Sequence, residues 1–382
     1  MKRPYIAILC LLLTHGVSAQ GNSAYLVNTL KQVELMTQHQ ENEQALALLE
    51  SVTVSRNSDK AQLARWLGAL YWQQGRHQDA IHSLKQALAT QALLSAQTRE
   101  VQRMLADLYL LEQDYQTSLN YYYPLTQHER DSSERQQLWQ RIAYAHYQQG
   151  EWQATIDSAQ HSLDEHPKTP GKVLQLRLGG ELNLKRWQSA IDTLNQLVEL
   201  QPQQAKWWRK LSSVYLAQGD HRGAMNTLSL AKLIQVELEP SDLSLLARLY
   251  AQQGLPELAA KQLVDQDDGS LQRLVQLANY WQWAKEWDKA QQVWIEIASE
   301  EPEYYWQVAQ LQLLEKEYQA ALVSLGKIPK PSAKIMLTEA QIYSKLEQWP
   351  QATEAAKRAM QLEPSKEAKR WLDFLTHHQS QH

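Results

Sequence analysis

Few side chains among the 382 residues combine type and spacing in a way that supports chemistry. The nearest approach to a metal loop is Asp265-Gln266-Asp267-Asp268-Gly269. A calcium-binding EF-hand needs acids at alternate positions, Gly at the sixth and Glu at the twelfth. Here Gly269 comes fifth and the twelfth residue is Gln276. The segment is instead expected to end one helix and, through Asp268 or Ser270, to cap the next. The histidines, including His161, His166 and the tail trio His377, His378 and His382, show no His-Glu-x-x-His spacing that would set two imidazoles and a base on one helix face. No Gly-rich phosphate loop, nucleophile elbow or catalytic carboxylate pair occurs. The expectation is a chain with no cofactor, no metal and no enzymatic activity; an active site in a groove between helices is the competing reading with least behind it. Trp and Tyr are abundant against a single Phe, Phe374. They could line an aromatic cage, but most fall at regularly recurring positions, which makes them packing residues of a periodic fold.

The period is legible from residue 61 onward. Leu67-Gly68, Tyr71, Gly75, Ala80, Leu84 and Ala87 describe two antiparallel helices, the small residue letting the backbones approach and the Ala of the second helix doing so from the other side. The frame returns as Leu105-Ala106 with Tyr109, Ile142-Ala143 with Gly150 and Trp152, and Leu178-Gly179 with Leu182 and Ala190, the last with a turn one residue short. It continues as Leu211-Ser212 with Tyr215 and Ala224, Leu246-Ala247 with Tyr250 and Ala259, Leu277-Ala278 with Trp281 and Ala290, Val308-Ala309 with Ala321, and Ala340 with Tyr343 and Ala352. Pro167, Pro202, Pro302 and Pro364 close second helices, because proline stops a helix. With a degenerate first unit around Leu35, Met36, Ala45 and Leu49, about ten repeats of roughly 34 residues are expected.

This pattern resembles the tetratricopeptide repeat (TPR) family. The resemblance implies an all-α solenoid, a right-handed superhelix of about ten helix-turn-helix repeats over 22–364, closed by a capping helix over 365–376 with a disordered tail over 377–382. It also implies that the first helix of each repeat lines an inner groove that binds a protein or extended peptide. Carried onto this chain, the groove positions are Arg65, Trp72, Arg103, Arg141, Tyr144, Tyr147, Arg177, Arg209, Lys210 and Arg248, followed by Trp283 and Trp306 beside Leu313 and Leu314. A basic residue in each of six repeats of an acidic chain suits a partner with acidic groups. The same arginines are equally consistent with side chains that lie over the helices and are simply solvated.

The first nineteen residues have a different composition: Lys2 and Arg3, an apolar run from Tyr5 to Leu13, then Val17-Ser18-Ala19 before Gln20. That order is the one of a cleavable secretory signal, and the run is about half the ~20 residues a membrane span needs. The only cysteine, Cys10, lies inside it, so a cleaved chain carries neither disulfide nor Cys-type zinc site. Loss of Lys2 and Arg3 takes the formal charge from −4 to −6, which argues against nucleic acid as a partner. Export is expected, to the periplasm in a Gram-negative cell, with no membrane span in the mature chain and the oligomeric state open. The layout resembles exported TPR proteins that accompany TonB-type energy-transducing systems; a subunit of a polysaccharide or pilus export machine is the alternative.

Overall fold

The structure, a computed structural model, describes residues 22–264, 266 and 269–379; the leader and Asp268 lie outside them. Among the described residues there are twenty-one α-helices and no strand. They fall into two compact units, one ending at Leu200 and the other beginning at Gln201.

The first unit holds five helical hairpins: α1 (Ala24–Gln38) with α2 (Asn42–Glu50), α3 (Asn57–Gln73) with α4 (His77–Ala89), α5 (Ser95–Leu111) with α6 (Tyr115–His128), α7 (Ser132–Gln149) with α8 (Trp152–Asp164), and α9 (Gly171–Asn183) with α10 (Trp187–Leu200). The second holds five more: α11 (Ala205–Gln218) with α12 (His221–Leu233), α13 (Pro240–Gln252) with α14 (Pro256–Val264), α15 (Leu271–Trp283) with α16 (Trp287–Glu300), α17 (Tyr305–Leu314) with α18 (Tyr318–Leu325), and α19 (Ala333–Lys345) with α20 (Trp349–Leu362). A last helix, α21 (Lys366–Gln379), follows.

Each hairpin turns through one residue in the left-handed region. Glycine fills that place at Gly75, Gly150, Gly219 and Gly254, while Gln40, Gln113, Lys185, Lys285, Lys316 and Glu347 fill it elsewhere. Gly219, at φ 84°, shows why glycine is preferred, since a Cβ there meets the following carbonyl. The turn residue also fixes the frame: the small residue that meets the second helix lies seven positions earlier. At Gly68 an added methyl would stand 2.5 Å from Leu84 Cγ and 3.3 Å from the Ala80 carbonyl, so close approach is the reason for the glycine.

That rule corrects one register. In the fifth repeat the turn residue is Lys185, so the turn has the same length as the others and the frame moves by one. Leu178 occupies the small-residue place, Arg177 the preceding Leu place and Glu181 the Tyr place. Gly179 and Gly180 face the fourth repeat instead: a Cβ at Gly179 would lie 2.4 Å from the Tyr147 ring, and one at Gly180 2.8 Å from the Trp152 carbonyl. The Leu178-Gly179 pair thus imitates the Leu-small pair of the other repeats one residue out of frame.

In the first unit the largest core cluster joins Leu26, Leu49, Trp66, Leu84, Met104 and Leu108 across three hairpins, so no hairpin buries its apolar stripe alone. In the second, Trp281 and Trp294 share a cluster, and Trp294 stacks on Tyr304 at 5.7 Å while its indole N–H donates to Gln282 Oε1. The final helix covers the tenth repeat with Ala368 and Leu375, both fully buried. It runs to Gln379, three residues beyond the expected end. Leu375 anchors its last turns and the Thr376 hydroxyl donates to the Leu372 carbonyl, so polar residues continue the helix on its solvated side. Ser270 caps α15 by accepting the Arg273 amide at 3.2 Å, one of the two caps expected there.

Candidate partner-binding surface

Five of the six first-helix arginines are paired within the chain. Arg65 on α3 is 2 % exposed and donates to Glu100 on α5 at 2.5 Å, beside a buried Gln62–Gln97 hydrogen bond of 2.7 Å between the same helices. Arg103 on α5 pairs with Glu134 on α7. Arg141 on α7 reaches back to Asp107 on α5, Nε to Oδ1 3.0 Å. Asp107 also accepts the Tyr122 phenol, whose acidity is pushed far below the ordinary range of tyrosine by burial and by that carboxylate. In the second unit Arg209 on α11 pairs with Glu239 at 2.6 Å and lies 3.7 Å from Asp242 on α13. Each of these arginine–carboxylate pairs joins one repeat to the next.

Arg177 differs. Its Nε donates to Thr193 Oγ1 at 3.1 Å and lies 3.5 Å from Glu181 Oε1, and its Nη1 donates to Gln160 at 2.9 Å. Glu181 is 4 % exposed and its Oε2 has no hydrogen-bond partner. Burial pushes this carboxyl above the ordinary range, outweighing the Thr193 hydrogen bond and the Arg177 charge. The Leu and Tyr places of the fifth repeat thus hold an ion pair.

Of the six rungs of the expected arginine ladder, five are paired with carboxylates of the chain itself. The physical reason is the repeat itself. A cation on a first helix stands beside the first helix of the next repeat, and a carboxylate 30–35 residues on meets it. Arg248 and Lys210 are exposed and form no ion pair among the described residues.

The aromatic positions divide as well. Trp72 is half-buried against the first unit's main cluster. Tyr147 is sandwiched between Gly179 and Trp152, the latter edge-on at 5.5 Å. Tyr144 is exposed and accepts from Gln148. Trp306 is half-buried beneath the Lys334 ammonium, 5.3 Å from its ring. Trp283, at 56 % exposure, and Leu314, at 58 %, end successive first helices and are the open apolar positions of this set.

Sequence reasoning missed one connected group. His146 takes the Tyr place of the fourth repeat, donates Nδ1–H to Glu151 at 2.5 Å and accepts the Tyr123 phenol at Nε2 at 2.6 Å. Trp139, edge-on to Tyr123, stacks on His161 at 4.5 Å. The signal was present: the same place in other repeats reaches back to the previous second helix, as Tyr71 does to Glu50 and Tyr250 to Ser229. Among the described residues no group of three His, Cys, Asp or Glu could hold a metal, and none of the helices is long and apolar enough to cross a membrane.

Residues 35–93, 67–134 and 181–232 match the family model described as tetratricopeptide repeat. The matched segments therefore carry tetratricopeptide repeats, within a chain built of helical hairpins. No curated protein matches it. Among solved structures it resembles a tetratricopeptide repeat protein from Parabacteroides merdae ATCC 43184 (15% identity, 63% of this chain and 98% of that one, TM-score 0.33). It also resembles MamA (17% identity, 41% of this chain and 90% of that one, TM-score 0.33) and the Naa15/Naa10 assembly bound to HypK-THB (11% identity, 82% of this chain and 54% of that one, TM-score 0.45).

Proposed function

We propose that the protein is a non-catalytic scaffold that holds another protein, working outside the cytoplasm after removal of residues 1–19. The observation that carries the scaffold reading is the set of ten hairpins, whose polar clusters are spent on joining repeats while Trp283 and Leu314 stay open. Side chains of that size left in water are what a partner's apolar residue would cover. The basic start, apolar run and small-residue site of the leader support export.

The service of a TonB-type system is the finer reading, on the layout shared with exported repeat proteins; the alternative is an accessory to polysaccharide or pilus export. The two are separated by the genes adjoining this one. Affinity capture from envelope extracts with the mature chain tests the scaffold itself: a stoichiometric protein is expected on the wild type and lost on Trp283→Ala/Leu314→Ala. Recovery of no protein in stoichiometric amount from any extract would remove the reading.

A further inference from the structure

The first and last helices of the array are finished differently. At the C-terminal end, α21 buries Ala368 and Leu375 and turns charged residues outward. At the other end, α1 buries Leu26, Leu30 and Val33 in the first unit's main cluster. Its opposite side carries Tyr25, Asn28, Gln32 and Leu35, all exposed, at i, i+3, i+7 and i+10, the spacing of a packing seam. Lys31 stands exposed at the margin of that seam. Tyr25 and Leu35 are each more than half exposed, and among the described residues no element covers them. A terminal repeat stays soluble through a polar outer face, so an apolar seam at this place is a packing demand the fold leaves unmet.

The charges at the two ends are opposite. Glu34 near the end of α1, Glu41 as the N-cap of α2 and Glu43 in its first turn gather at the tip of the first hairpin. None of them forms an ion pair among the described residues, whereas Glu50 at the far end of α2 is taken up by Tyr71 and Arg76. On α21, Lys366 and Arg370 lie opposite Ala368 and Leu375, and Phe374 continues their row at i, i+4 and i+8, with Asp373 flanking it. Phe374 is more than half exposed and is held edge-on against Trp371 at 5.9 Å.

Helix polarity matches as well. Lys366 and Lys369 stand in the first turn of α21, where its own dipole disfavours cations, while α1 has no basic residue in its last turn to satisfy the opposite pole. An antiparallel approach of one copy's α21 to another copy's α1 sets these cations on the α1 C-terminus and the carboxylates of the hairpin tip. At ~1.5 Å per residue, Phe374 lies about 12 Å along the helix from Lys366, and Leu35 and Tyr25 lie about 15 Å apart. The ring therefore comes down between Leu35 and Tyr25.

We propose that the chain associates head to tail, α21 of one copy docking antiparallel on α1 of the next. The contact joins two different surfaces, so each addition leaves one α1 and one α21 open and growth continues beyond a dimer. Pairing α1 with α1, or α21 with α21, leaves the opposite charges unmatched. The contact uses neither Trp283 nor Leu314 and does not depend on the scaffold reading; an assembly formed this way displays that surface once per copy.

The test is analytical ultracentrifugation of the untagged chain, purified as its cells process it so that neither end is altered. At low salt the weight-average mass should rise past that of two chains between about 1 and 300 µM, the range of a small transient interface. At about 1 M salt it should fall back toward that of one chain. Tyr25→Lys/Leu35→Lys at one end and Arg370→Glu/Phe374→Glu at the other alter exposed side chains, and each should hold the chain at the monomer mass with unchanged circular dichroism. Mixed in equal amounts, the two variants should form a one-to-one pair and nothing larger, because one intact α21 meets one intact α1. A wild-type chain that stays monomeric through this range overturns the proposal. So does a dimer that only one of the two variants abolishes, which is the mark of a symmetric contact, and so does a mixture of the variants that fails to pair.

Discussion

Replacing Arg177 by Leu leaves Glu181 buried without its counter-charge. Removing one member of a buried pair costs roughly 3–5 kcal/mol. Arg177 is 13 % exposed and lies 3.5 Å from the carboxylate, so the lower end applies, about 3 kcal/mol at pH 7. Adding Glu181→Leu removes the stranded charge and returns the fifth repeat to an apolar core, so the double variant should lie within about 1 kcal/mol of wild type or above it. Burial holds the Glu181 carboxyl above its ordinary value of 4.5. An acid whose folded value is raised contributes stability that is complete below its unfolded value and lost as pH rises through the folded one. The cost of Arg177→Leu should therefore shrink as pH falls toward 4.5, because a protonated Glu181 needs no counter-charge. Native-state amide exchange in α9 and α10 reads this locally, where 3 kcal/mol is about two orders of magnitude in protection. An Arg177→Leu variant as protected as wild type at pH 7, or a double variant as exposed as the single one, refutes the reasoning.

Gly68→Ala should cost about 1–3 kcal/mol by urea unfolding, because its methyl would overlap the fully buried Leu84. Gly219→Ala should cost about 1–2 kcal/mol by the same measurement, since the turn demands a positive φ. Hydrogen bonds from His77 and Gln78 hold Glu112, and one from Arg135 holds Glu165, below the ordinary carboxylate value. Lowered acids contribute stability that is present above their unfolded value and lost as pH falls through the folded one. Acid titration of the first unit followed by circular dichroism should show a loss below pH 4.5 that Arg135→Gln/His77→Gln makes shallower.

The periodicity of Leu, small residue, Tyr and Ala was enough to reveal the hairpins, because each of those residues answers a local packing demand that recurs at fixed spacing. The fifth repeat escaped, since its packing places hold Arg177 and Glu181 and a Leu-Gly pair sits one residue away. The surface was harder. Groove positions inferred repeat by repeat name the residues on a first helix but not what stands beside them on the next, so Arg65, Arg103 and Arg209 looked open. Reading opposite charges 30–35 residues apart would have paired them with Glu100, Glu134 and Glu239.

Photo-crosslinking in the native cell tests the scaffold claim most directly. With benzoylphenylalanine in place of Trp283 or Leu314, irradiation should give one discrete protein adduct; the same group in place of exposed Leu94 in the first unit should give none. A folded variant that forms no adduct from position 283 or 314, or forms the same one from position 94, would contradict the account.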